Sequence, residues 1–176
     1  MALTLYDAVI PSYFQMLGAV AGLIDKAEAF CTEKNIPAED IIGCRLIEDM
    51  HPFNYQVKST AVHSLGAIEG VRTGAFQPDS TIPPSSFADL KARVQQAIEG
   101  LSQVSVEELE AAADKPVIFS IPGRFERHFT GQSFLLSFSQ PNFYFHAATA
   151  YDVLRHKGVN IGKVDYLGAL RITKSA

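Results

Sequence analysis

The chain has 176 residues, 47% apolar and 19% charged, with a net charge of −4. That length suits one domain spanning residues 1–176, with a core of its own. The acidic balance argues against non-specific binding to nucleic acid or to an anionic membrane, both of which need a basic surface.

No basic segment precedes the first apolar run, which follows Asp7, so no signal peptide is read. Ala8 to Ile24 is uncharged but holds Pro11, Ser12, Gln15, Gly18 and Gly22. It falls short of the roughly 20 residues a membrane span requires. Cys31 and Cys44 lack CxxC spacing and read as buried, reduced thiols of a cytoplasmic protein.

Thr4 and Asp7 form a capping box that opens a first helix, with apolar residues at helical spacing from Val9 to Phe30. Pro11 should kink this helix or mark its true start, and Asn35 and Pro37 should stop it. Ala38 to Met50 reads as a short helix and a linker, with Ile41, Ile42, Leu46, Ile47 and Met50 facing inward. A second helix should run from Pro52 to about Arg72, ending before Gly74, with Gln56, Ser59 or Thr60, and His63 on one face. Gly66 and Gly70 weaken it but allow a neighbour to approach closely.

Gly74 to Pro84 reads as an exposed loop. Ser86 and Asp89 cap a third, amphipathic helix through Leu101, and Ser105 to Ala113 is a short acidic helical turn. Val117–Ile121 and Arg124–Phe129 read as two strands around Pro122-Gly123, a small β-hairpin. A fourth helix should begin at Pro141 and stop at Lys157-Gly158, as a central, buried element. It belongs to an uncharged stretch from His128 to Tyr151. The tail from Gly158 onward shows little periodicity. The expected fold is all-α: a four-helix bundle with a small β-hairpin insert before the fourth helix. Such bundles build metal and ligand sites from side chains on facing helices.

On the fourth helix Asn142, His146 and Thr149 share a face. His146 and His63 are therefore the two histidines expected inside. Two imidazoles from facing helices can begin a zinc or nickel site. Alternatively they hydrogen-bond each other, or Gln56 and Asn142, within the core. His51, His128 and His156 read as rim or surface residues. No P-loop, GxGxxG, GxSxG or HExxH motif occurs.

Five segments carry a resemblance: Leu5-Tyr6-Asp7 through Pro11-Ser12; Gln56 to Ser59 with His63; Pro141-Asn142-Phe143-Tyr144-Phe145-His146 through Tyr151; Leu154-Arg155-His156; and Gly162-Lys163-Val164-Asp165 through Gly168. Over nearly the whole chain they resemble an uncharacterised bacterial family, a domain of unknown function within the DinB/YfiT-like superfamily. The resemblance implies a four-helix bundle, a homodimer, and a divalent metal held by three histidines, one on the second helix and two a turn apart on the fourth. His63 and His146 match two of these positions, and Ala150 stands at the third. It also implies a metal-dependent hydrolase or thiol-dependent transferase, with Gln56, Asn142, Tyr144 and Thr149 binding an unknown small substrate. The alternative is a non-catalytic, small-molecule-binding or stress-related bundle that kept the polar pocket without the metal.

Overall fold

A computed structural model describes residues 3–173. Helix α1 (Leu5–Lys34) opens on the complete Thr4–Asp7 capping box and closes on Asn35 in the left-handed conformation. Pro11 lies inside it, neither its start nor its end. The helix is long and apolar enough to cross a membrane by length and composition, yet its apolar stripe from Val9 to Ala27 is packed into the protein core.

Helix α2 (Glu39–Ile42) buries Ile41 and Ile42, whereas Ile47, expected to face inward, is exposed. Helix α3 (residues 53–73) consists of α-helical Phe53–Ala61, a π turn over Val62–Gly66, and α-helical Ala67–Thr73, ended by Gly74 at φ 74°. Strand β1 (Ala75–Phe76) follows at once. The space left by the missing side chain at Gly70 is taken by Phe76, 3.1 Å from where a Cβ would stand.

Helix α4 (Phe87–Leu101) starts at Ser86, whose hydroxyl accepts from the Asp89 N–H. After α5 (Val106–Ala111) come strands β2 (Pro116–Ile121) and β3 (Phe125–Thr130). The last two pair antiparallel around a three-residue connection in which Arg124 N–H bonds to Ile121 C=O and Gly123 takes φ 73°. That is the type II turn a Pro-Gly pair favours. The expected lone hairpin is corrected here: β1 joins β2 in parallel, with Phe76 opposite Phe119, to give a mixed three-stranded sheet in the order β1-β2-β3. Two residues are too short for a strand to announce itself by alternation.

Helix α6 (residues 131–156) also begins ten residues before its expected start at Pro141. Thr130 and Ser133 form a capping box, a π turn spans Phe134–Ser139, and α-helical Gln140–His156 follows. A proline within a helix withholds one N–H and crowds the carbonyl four residues earlier; the wider turn directly before Pro141 accommodates both. The expected stop at Lys157-Gly158 is present. Helix α7 (Lys163–Leu167) lies in the tail, where no element was expected, and packs on α1.

The protein is thus mostly helical with a small mixed sheet. Helix α1 packs on α4, α4 on α3, α3 on α6, and α6 on α1. The sheet covers one end of α3 and α6, where Phe76, Phe119, Phe134 and Phe138 pack ring against ring.

Candidate functional site

Among the described residues, the buried polar and charged residues are Gln56, Lys58, Ser59, Thr60, Ser64, Ser139 and Thr149, and every one lies on α3 or α6. Between these two helices the rings of His63 and His146 stack at a centroid distance of 5.6 Å, only 15° from parallel. The two histidines singled out by spacing therefore meet.

Both helices are widened beside this contact. His63 lies inside the π turn of α3, and the π turn of α6 ends two turns before His146. Such turns are rare and recur at functional sites. The Ser139 hydroxyl, at the end of the second one, donates to the His63 carbonyl at 2.9 Å and ties the two turns together.

Gln56 settles the tautomer of His146. Its amide Nε2 donates to the backbone carbonyl of His51 at 2.9 Å, so its Oε1 is the atom facing His146 Nδ1 at 2.7 Å. An amide oxygen only accepts, so Nδ1 carries the proton and Nε2 carries the lone pair. Nε2 has no hydrogen-bond partner among the described residues and is not fully buried. Gln56 itself is 2% exposed, and its bond to His146 is the core pairing that the sequence reading offered as the alternative to a ligand site.

His63 differs in kind. Its Nδ1 is buried without any hydrogen-bond partner, one of two such side-chain atoms among the described residues; the other is the Tyr13 hydroxyl. Burial, reinforced by the adjacent His146, pushes the His63 pKa down to about 3. Burial, with a smaller effect of His51, brings His146 down to about 4. At neutral pH both rings are uncharged.

Aromatic side chains wall the pair. Phe76 and Phe138 flank His63, each at 5.7 Å. Tyr55 stands edge-on to His146 at 6.0 Å, and the largely exposed Phe145 at 5.3 Å. The His51 ring, exposed as expected of a rim residue, stacks on Tyr55 at 3.8 Å. Lys58 gave no signal in the sequence beyond a charge on a helical face. It is buried, pairs with Asp79 at 3.2 Å, and donates to the carbonyls of Asp79 and Thr81 at 2.8 and 2.6 Å. With Asn54, which holds Pro84 C=O at 3.0 Å, it straps the 79–84 loop against α3.

The remaining expected contacts lie elsewhere. Asn142 and Thr149 return their donors to their own helix, at Phe138 C=O and Phe145 C=O. Tyr144 leans on Phe143 and toward Tyr13 and Tyr166, about 200° around the helix from His146. Ala150 is fully enclosed in the apolar core. The larger cavities are also away from the pair: one of about 640 Å³ lies at the end of α1, beside Cys31, Asn35 and Phe87. Among the described residues no three His, Cys, Asp or Glu side chains converge as a cation would need. The donor set does not fit a three-histidine centre.

A family model, the domain of unknown function DUF1993, matches residues 5–167. A crystal structure of a DinB family member protein from Shewanella denitrificans is similar to this chain with a TM-score of 0.82 and 29% identity, over 97% of this chain and 96% of that one. No curated protein matches.

Proposed function

The chain belongs to the DUF1993 family, and on that premise we propose that it is a DinB-like four-helix bundle binding a small molecule at the His63–His146 pair. The two imidazoles act there as neutral hydrogen-bonding and acid–base groups. One observation carries this reading: two imidazoles stack between α3 and α6, and of their ring nitrogens only His146 Nδ1 has a hydrogen-bond partner among the described residues. The buried His63 Nδ1 left without a partner costs about 1–3 kcal/mol, so the pair is kept at some expense of stability. Neutral imidazoles are also the protonation state that general-base chemistry requires.

A second reading keeps the divalent zinc or nickel ion and the hydrolase or thiol-dependent transferase activity of the DinB resemblance. The juxtaposed rings favour it; the alanine at position 150 opposes it, since water or a substrate group would have to complete the shell. The homodimer and the cytoplasmic setting belong to the same proposal, and sedimentation of the purified protein tests the first. Metal analysis with divalent-ion titration of the melting temperature separates the two readings. No bound metal and an unchanged Tm support the first; stoichiometric zinc or nickel lost in His146→Ala establishes the second.

A further inference from the structure

We infer that the His63–His146 pair receives a small uncharged group carrying both a hydrogen-bond donor and an acceptor, a primary amide or an alcohol, in preference to a carboxylate or another anion. This rests on the small-molecule reading above and names its ligand class.

The polarity of the pair follows from where each proton must sit. The chain from His51 C=O through Gln56 to His146 Nδ1 is directional: amide N–H to carbonyl, then ring N–H to amide oxygen, at 2.9 and 2.7 Å. Reversing Gln56 would set an amide oxygen against the His51 carbonyl, acceptor on acceptor. His146 therefore presents an acceptor at Nε2. On His63 it is Nδ1 that is sealed. A buried N–H without a partner is rarer and costlier than a buried lone pair without one. The proton accordingly sits on Nε2, and His63 presents a donor. The two stacked rings thus offer unlike groups, one taking and one giving a hydrogen bond.

The lysine and arginine nearest the pair supply no free charge for an anion. Lys58 Nζ, 5.8 Å from the Tyr55 ring, is consumed by Asp79 and by the Asp79 and Thr81 carbonyls. Arg93 is turned to the other oxygen of Asp79 at 3.2 Å. Besides His51, whose ring stacks on Tyr55 and acts on His146, what adjoins the rings is aromatic: Tyr55, Phe138 and Phe145. An anion there would exchange water for a site with no counter-charge. An amide or hydroxyl would satisfy both imidazoles at once and leave its apolar remainder against the rings.

The test uses the full-length, ¹⁵N-labelled protein at pH 7.5, with long-range ¹H–¹⁵N spectra of the histidine rings and titration by acetamide and by acetate. The expected result has His146 protonated at Nδ1 alone and His63 at Nε2 alone. Acetamide moves the ring nitrogens of both residues saturably, and acetate leaves them in place. Gln56→Leu, with a well-dispersed spectrum as proof of folding, releases His146 to the other tautomer and weakens acetamide binding about tenfold, one hydrogen bond's worth. His146 protonated at Nε2 in the wild type, or acetate binding as tightly as acetamide, overturns the inference while leaving a ligand site. If neither probe moves either ring, the small-molecule reading itself falls, and the ligand class falls with it.

Discussion

The α1–α4 interface and the α3–α6 interface are built from the same kind of element and do opposite things with polarity. Along the first, α4 buries Leu90, Val94, Ala97 and Leu101, and the inner face of α1 is nearly all aliphatic. Its charges stay at the rim, where Lys91 reaches Asp25 and Glu28 at 2.6 and 2.7 Å. On the second, buried amide, hydroxyl and imidazole groups crowd together, both helices open into π turns, and one ring nitrogen goes unsatisfied. Burying aliphatic surface stabilises, whereas burying unpaired polar atoms costs. The contrast separates a contact that holds the fold from one that carries its chemistry.

The largest effect expected lies on the aliphatic side. Leu90 is fully buried, so Leu90→Ala should lose about 2–5 kcal/mol of stability in denaturant unfolding, from lost burial and the cavity left behind. The ring-nitrogen signals of His63 and His146 should hardly move. A loss below about 1 kcal/mol would mean that the α1–α4 contact is not a principal support.

Acid should strike the other side. His63 and His146 have folded pKa values of about 3 and 4, below the ordinary 6.5. The unfolded chain therefore takes up protons at higher pH than the folded one does. Their contribution to stability is complete above pH 6.5 and is lost as pH falls from there toward 4 and then 3, each histidine adding up to about 1.4 kcal/mol per pH unit. Unfolding curves between pH 7 and 4.5 should show this slope in the wild type. It should be roughly halved in His146→Gln.

A smaller effect of opposite sign sharpens the contrast. His63→Leu removes the sealed, partnerless nitrogen and fills much of the same space, so stability at pH 7 should rise by about 1 kcal/mol. Ligand binding at the pair should disappear in the same variant. A stabilised but inert protein is the signature of a residue kept for function. A destabilised one would make His63 a packing residue whose ring matters more than its nitrogens.

How much of this was legible in the sequence differs between the two interfaces for a physical reason. The aliphatic stripe of α4 and the capping residues Ser86 and Thr4 act within a few positions, so helical spacing exposed them, and the same spacing singled out His63 and His146. The wide turn before Pro141 hid the true start of α6, because a π turn leaves no periodic mark of its own. Strand β1 was invisible because two residues become a strand only when β2 pairs with them. Gln56 was placed on the right face, and its bond to His146 was one of the two roles read for it, but its orientation depends on the His51 carbonyl, a backbone atom that no side-chain pattern reports. Lys58 read as an ordinary helical charge because its acceptors belong to a loop more than twenty positions away.

The smallest effect expected returns to the rim of the aliphatic interface. Lys91 bridges Asp25 and Glu28 across α1 and α4, and those carboxylates hold its pKa above the ordinary lysine value. In geometry alone this is as well-formed an ion pair as any in the molecule. Yet the groups are solvated on the surface, where screening and side-chain entropy offset most of the attraction. Lys91→Ala should leave the melting temperature unchanged within measurement at about 0.15 M salt. A clear drop that vanished at high salt would show the rim charges holding α1 to α4, in place of Leu90 and the aliphatic side chains beneath them.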